Sequence, residues 1–261
     1  MTTLYTFAMS HFCEKVRWAL DRARLPYEER LLSPGPHMLQ VRLMAPRSSV
    51  PLLRDHGRIV QGSSAILDYL GNERGVTDYR LDGASAERIR DWEQRLDNGF
   101  GLSFQQLFCA SATGVDAHIV KKLWGHGGPL WAKALYGVAV GPLNRIARRT
   151  YRAHLPGSFE AAAERFDRTL DSVAERLDGR RFFFGAAPGR VDITSAALLG
   201  PLLRPDNHPL PSPGLPDRLA RFVAERAAHP AFSHAWHMYE AHRYAAAPYR
   251  LGHLGRHEPV T

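Results

Sequence analysis

The sequence predicts two structural classes joined end to end: a small α/β domain with a four-stranded mixed sheet over residues 1–74, then an all-helical bundle over residues 84–261. Three observations predict this. Short β-branched and aromatic runs gather in the first quarter of the chain. They alternate with helical patterns in the order β-α-β, link, β-β-α. After Gly75 the strand signals largely stop, and apolar residues recur at helical spacing instead.

The first strand is read at 3–7 (TLYTF). A helix follows over 11–24, where Phe12, Val16, Ala19, Leu20 and Ala23 share a face and Glu14, Lys15, Arg17 and Asp21 take the rest. A second strand lies within 25–32, a loop at 33–37 (SPGPH) and a short helical piece near 38–44. Residues 49–61 (SVPLLRDHGRIVQ) read as a hairpin turning at Asp55-His56-Gly57. Residues 63–71 read as a helix with a serine start and a glycine end. A β-α-β unit needs parallel strands and a hairpin needs antiparallel ones, so the sheet is mixed.

Residues 75–83 form a polar linker. Helices are then predicted over 84–109, 116–124, 130–153, 158–178, 191–203, 216–227 and 230–243. The clearest is 158–178, where Phe159, Ala163, Phe166, Leu170, Val173 and Leu177 keep the helical period. Ser158 is assigned as its N-cap and Gly179 as its terminal glycine. Residues 204–217, with five prolines, form a long loop, and the tail from Ala245 is expected to lie over the surface or to move.

Composition bounds the function. At 261 residues, 44% hydrophobic and 23% charged, the chain is an ordinary globular protein with no apolar run long enough to span a membrane and no leader-like N-terminus. Two cysteines, Cys13 and Cys109, exclude a disulfide scaffold and suit reduced thiols in the cytoplasm. The net charge of +8 rests on thirty arginines and four lysines. It is spread along the chain with one exception: no acid stands between Asp116 and Glu160, while Lys121, Lys122, Lys133, Arg145, Arg148, Arg149 and Arg152 do. That strip is read as a solvated face or a basic rim for an anionic ligand. A nucleic-acid or anionic-membrane partner is the less favoured reading, because basic and aromatic residues are not interleaved as in nucleic-acid readers.

Three short motifs carry chemistry. Ser10 opens the first helix directly after a strand, where free N–H groups and the helix field favour an anion or a thiolate; from the local sequence alone the plainer reading of the same serine is an N-cap. Cys13, one turn on, is either a reactive thiol or a buried inert one. Val50-Pro51 opens a strand, either as a simple strand-start proline or, if cis, with the Val50 backbone turned to a ligand. Ser63 leads the helix after the hairpin, as an anion holder or as a cap.

Taken together and in this order, YTFAMSHFCEKVRWALD, APRSSVPLL and IVQGSSAILDYL resemble the glutathione transferase family. The helical half is similar more loosely, through the spacing of the 158–178 helix, the Phe-Phe-Phe-Gly at 182–185 and PGRVDITSAALL. The resemblance implies a thioredoxin-like domain followed by a helical bundle, with glutathione as cofactor. Ser10 matches the serine that holds the glutathione thiolate. Val50, with Pro51 cis, matches the residue that pairs with the cysteinyl backbone, and Ser63 the residue that takes the γ-glutamyl carboxylate. Gly62 stands where many members carry an acid or Gln. Ser48 and Ser49 stand where a Lys is common, leaving Arg47 as the nearest cation. Asp192 in GRVD is expected to cap locally although Gly189 replaces the usual helix-starting Ser or Thr.

The resemblance further implies an apolar electrophilic small molecule as second substrate, between the domains, against helices 84–109 and 116–153. The segment 125–137 (GHGGPLWAKALYG) is read as a wall of that pocket, as core packing or as a dimer contact, with His126 a candidate polar group. A cytoplasmic homodimer is expected. Two alternatives stay open: a thiol oxidoreductase working through Cys13, and a non-catalytic scaffold that keeps the fold.

Overall fold

The computed structural model describes residues 1–112, 117–126, 130–208, 214–243 and 256–257. The first domain runs β1 (Thr2–Thr6), α1 (His11–Arg22), β2 (Tyr27–Leu31), α2 (His37–Arg42), β3 (Leu52–Asp55), β4 (Arg58–Gln61) and α3 (Ser63–Asn72). β1 pairs parallel with β2 and antiparallel with β3, and β3 pairs antiparallel with β4, which is the mixed sheet expected. His56 and Gly57 both take positive φ, 48° and 88°, as a tight hairpin turn requires. A fifth strand, β5 (Arg256–His257), adds antiparallel to β2, so the sheet order is β4-β3-β1-β2-β5. The predicted four strands are therefore extended by a piece of the tail.

Side chains alternate across the sheet with period two. Leu4 and Leu53 face the main core, while Tyr5 and Leu52 pack with Val41 and Ala45 under α2. The main core does not stop at the domain boundary: Leu4, Val16 and Trp18 belong to one cluster with Phe166, Leu198 and Phe232. The linker is part of that cluster. Tyr79, in a 3₁₀ turn Thr77–Tyr79, is fully buried and donates its hydroxyl to Ala19 O at 3.1 Å. Gly71, predicted to end α3, lies inside it. A Cβ there would stand 2.6 Å from the Tyr79 backbone, so glycine lets the linker pass close.

The second domain comprises α4 (Ala86–Leu96), α5 (Ser103–Ser111), α6 (Ala117–Gly125), α7 (Leu130–Thr150), α8 (Ser158–Leu177), α9 (Arg190–Leu203), α10 (Asp217–Ala224) and α11 (Pro230–His242). The single helix predicted over 84–109 is broken by a π-helical stretch, Asp97–Leu102. Its two glycines admit close neighbours: a Cβ on Gly99 would meet Thr169 Oγ1 at 2.1 Å, and one on Gly101 would meet Phe12 Cζ at 2.4 Å. α8 is capped by Gly157, in the left-handed region at φ 68°, and not by Ser158, whose hydroxyl instead donates to Ala153 O. Asp192 caps α9 as expected, accepting from Gly189 N at 2.9 Å and also from Phe183 N at 3.0 Å. The glycine-rich break at 127–129, the prolines at 209–213 and most of the tail lie outside the described residues.

The largest departure concerns α1. Its charged residues were assigned to the side away from the core, yet Glu14, Lys15 and Arg17 are all fully buried, because α9 packs over α1. Each finds opposite charge. Lys15 Nζ meets Glu93 at 2.6 Å and Asp97 at 3.3 Å and donates to Ser64 at 3.0 Å. Arg17 meets Glu29 at 2.6 Å, and Glu14 meets Arg243 at 2.9 Å. Arg190 joins Glu93 at 2.6 Å and Asp68 at 2.8 Å. Burial alone would raise the Glu93 carboxyl, but Lys15 and Arg190 hold it below its ordinary value. Removing one member leaves the others charged and dry, which costs about 3–5 kcal/mol. Lys15→Met is therefore expected to lower the urea-unfolding free energy by about that amount, whereas Lys121→Met, on an exposed position, changes it by less than about 0.5 kcal/mol. Equal, small effects would contradict the network's role.

Candidate active site at the N-termini of two helices

The sheet topology brings three of the predicted residues to one end. Tyr5, near the end of β1, pairs with Leu52 at the start of β3, and Leu52 pairs with Gln61 at the end of β4. Ser10 follows β1, Val50-Pro51 precedes β3 and Ser63 follows β4, so all three leave the sheet together. Ser10 is the N-cap of α1 in extended conformation. Its half-buried hydroxyl accepts from Cys13 N at 3.3 Å, which leaves the hydroxyl proton to donate elsewhere. The Val50-Pro51 bond is cis, and Pro51 O accepts from Gly62 N at 3.0 Å.

Gly62, not Ser63, caps α3; Ser63 is the first helical residue and is buried. Gly62 has φ 103°, a region that glycine adopts without strain and any other residue here would adopt only with strain. Gln61, one residue earlier, serves the loop before Val50. Its amide nitrogen donates to Arg47 O at 2.7 Å and Ser49 O at 2.8 Å, and its oxygen accepts from Arg47 N at 3.3 Å. Sequence reading missed this staple, since nothing in a strand-end glutamine announces it. Arg47 is exposed and lies beside Gly62: a Cβ there would be 3.8 Å from Arg47 Nη2, and the guanidinium donates to Gln61 O at 3.4 Å. α3 has no acid in its first turn. Its N-terminal field and Arg47 thus act in the same sense, toward an anion.

Cys13 is in the core. It is fully buried, and burial pushes its thiol up to about 11 despite Arg17 and the Ser10 hydroxyl, so it is a neutral thiol at pH 7. That weighs against the alternative in which Cys13 is the nucleophile, since the thiolate is the reactive form. His11, beside Ser10, was not singled out by the sequence. It is buried, its Nε2 lies 3.1 Å from Gly101 O, its ring packs against Phe12 and Phe104, and burial lowers its pKa to about 3. The π-helical stretch is thereby fixed to the start of α1.

The segment 125–137 divides. Tyr136 is buried and donates to Pro34 O at 2.6 Å, and Leu143 further along α7 closes on Gly35, so α7 reaches the loop at 33–37 of the first domain. Trp131 is 55% exposed and is not core. His126 donates its backbone N–H to Leu123 O. Among the described residues, no cluster of three or more His, Cys, Asp or Glu is placed to hold a metal.

Two measurements test this electrostatic picture. His11 is neutral when folded down to about pH 3 but takes a proton near 6.5 when unfolded. Its contribution is complete above pH 6.5 and is lost as pH falls, at up to about 1.4 kcal/mol per pH unit. His11→Gln should flatten the stability profile between pH 7 and 5 relative to wild type; parallel profiles would contradict a buried neutral imidazole. Iodoacetamide at neutral pH should leave Cys13 and Cys109, both buried with raised thiol pKa, unmodified in the native protein and modify both in urea. Rapid native labelling of Cys13 would restore it as a nucleophile.

Comparison with known proteins agrees with the fold. A family model described as the glutathione S-transferase N-terminal domain matches residues 4–77. No curated protein sequence matches the chain. Among solved structures, a glutathione S-transferase of Ceriporiopsis subvermispora, in complex with glutathione, is 14% identical with a TM-score of 0.63, covering 95% of this chain and 98% of that one. The beta-etherase LigF of Sphingobium sp. strain SYK-6 is 19% identical with a TM-score of 0.57, covering 90% and 98%. A glutathione S-transferase of Methylobacterium radiotolerans, in complex with glutathione sulfonate, is 20% identical with a TM-score of 0.55, covering 90% and 93%. Residues 4–77 therefore belong to the glutathione S-transferase N-terminal domain family, and the chain that carries them has the glutathione S-transferase fold.

Proposed function

We propose that the protein is a serine-type glutathione transferase. Glutathione lies across the sheet end, with its γ-glutamyl carboxylate at the N-terminus of α3 near Ser63 and Gly62, and its cysteinyl backbone against Val50. Arg47 supplies the local cation. Ser10 donates its hydroxyl proton to the glutathione sulfur and so favours the thiolate at neutral pH. The thiolate attacks an electrophilic carbon of an apolar small molecule. A C–S bond forms, the leaving group departs with its electron pair or the adduct rearranges, and the thiol proton passes to solvent. The chain contributes thiolate stabilisation and proximity, while the nucleophile belongs to glutathione.

The observation that carries this reading is the Ser10 hydroxyl. It sits half-buried at a helix N-terminus, with one lone pair taken by Cys13 N and the only nearby thiol neutral and buried. Support also comes from the relatives solved with glutathione or its sulfonate. A cytoplasmic location and a two-fold homodimer go with the reading as expectations.

Calorimetric titration with reduced glutathione, followed by turnover of an activated aryl halide, tests it. Ser63→Ala should weaken binding about tenfold or more, as for loss of a hydrogen bond to a charged group. Ser10→Ala should keep binding and lose about a hundredfold in kcat/KM, as for loss of a donor to developing negative charge. Cys13→Ser should turn over like wild type. Undiminished turnover by Ser10→Ala would remove the assigned role, and loss confined to Cys13→Ser would turn the reading to thiol exchange.

A further inference from the structure

α7 has two unlike faces. At 100° per residue, Tyr136 and Leu143 fall on one side, the side that holds Pro34 and Gly35 of the first domain. Trp131, Val138, Pro142, Arg145, Ile146 and Arg149 fall within an arc of about 100° on the other. That outer face is in solvent. Trp131 is 55%, Val138 83% and Ile146 56% exposed, and Pro142, Arg145 and Arg149 are exposed as well. The face is widened on both sides. α6 packs beside α7 and presents exposed Lys121 and Lys122. The turn after α7 exposes Tyr151, Arg152 and Leu155. No Asp or Glu occurs from residue 117 to residue 159.

We propose that this face docks the protein on an anionic lipid bilayer, lying along the interface without crossing it. The combination selects the occupant. A large aromatic and β-branched side chains in water beside arginines whose own stretch of chain contains no acid suit a surface that offers anionic headgroups and an apolar layer just beneath them. A second copy is a poorer fit where this face meets itself across a two-fold axis, since both halves then bring cations and neither brings an acid. A nucleic-acid backbone would satisfy the arginines but has no use for exposed Val138 and Ile146. Among the described residues no helix is long and apolar enough to cross a membrane, which agrees with interfacial contact. The inference does not depend on the glutathione reading, since Ser10 and Ser63 take no part in it.

The test is co-sedimentation of the full chain with vesicles of phosphatidylcholine alone and of phosphatidylcholine with phosphatidylglycerol at two to one. Binding to the anionic vesicles is expected at low salt, falling as salt rises, with little binding to the neutral ones. Arg145→Glu with Arg149→Glu should weaken it at least about tenfold. Trp131→Gln with Val138→Gln, which leaves the charge unchanged, should also weaken vesicle binding while leaving any binding to duplex DNA as it was. All four positions are exposed, and circular dichroism and thermal unfolding of the variants confirm that they fold. The proposal is overturned by absence of anionic-vesicle binding at low salt, or by vesicle binding that both double variants leave intact. It is equally overturned if duplex DNA binds more tightly than vesicles and only the arginine variant weakens vesicle binding, which would assign the face to nucleic acid. Dissociation of a native dimer by the Trp131 and Val138 changes would assign it to a subunit contact.

Discussion

Everything near the candidate site hangs on two cations of α1 that have no access to water. Lys15 joins three elements: Ser64 in the first turn of α3, and Glu93 and Asp97 at the end of α4 and the start of the π-helical stretch. Arg17 binds Glu29 on β2 and also donates to Phe7 O at 2.9 Å, the carbonyl that in turn accepts from Ser10 N at 3.2 Å. One cation thus locates the N-terminus of α3, and the other shapes the turn into the N-terminus of α1. A buried ion pair adds little net stability compared with well-packed apolar residues, but it demands a specific geometry. That constraint is what a site built from two helix ends needs.

The same constraint makes the two domains one unit. The anions that satisfy α1 are Glu29 from its own domain and Glu93 and Asp97 from the other. Arg243, just after α11, closes the far end through Glu14 and through Asp21 at 2.8 Å. Burial would raise the Glu14 carboxyl, but Arg243, His208 and Arg17 hold it below its usual value. Tyr79 and His11 add neutral hydrogen bonds across the same boundary. The helix that Ser10 opens is therefore held by a residue more than two hundred positions away in sequence, Arg243, and the helical domain is part of the site's scaffold whether or not it touches a substrate.

This explains which parts of the molecule could be read from the sequence. Strands, the hairpin and the long α8 rest on local period and turn chemistry, so they were legible. So was the convergence of Ser10, Val50 and Ser63, because β-α-β followed by a hairpin forces those three segments to one end. The burial of Glu14, Lys15 and Arg17 was not legible, because a single helix's charge pattern cannot say that a second layer covers its polar side. The break in the helix at 84–109 left a faint trace. Leu96, Phe100 and Phe104 are spaced by four, and each step of four over-rotates an α-helix by about 40°. The wider π turn keeps the three in the core. Gly62 was legible as a departure from the family pattern but not as the cap whose φ demands glycine.

The net charge of +8 takes on a different meaning once the interior is known. Inside, Lys15, Arg17, Arg190 and Arg243 are accompanied by the buried acids Glu14, Glu29, Asp55, Glu93 and Asp192, with half-buried Asp21 and Asp97 beside them, so the interior holds none of the positive excess. The excess must then sit at the surface, and the sequence concentrates it in one stretch that contains no acid. α7 connects the two regimes, with Tyr136 holding the first domain's loop at 33–37 and Arg145 and Arg149 facing water. Charges paired in the dry interior are little affected by salt, whereas exposed ones are screened within about 10 Å at 0.1 M. Ionic strength therefore separates the two roles of charge in this molecule: it acts on what the outer face of α7 can hold and leaves the geometry of Ser10 and Ser63 in place.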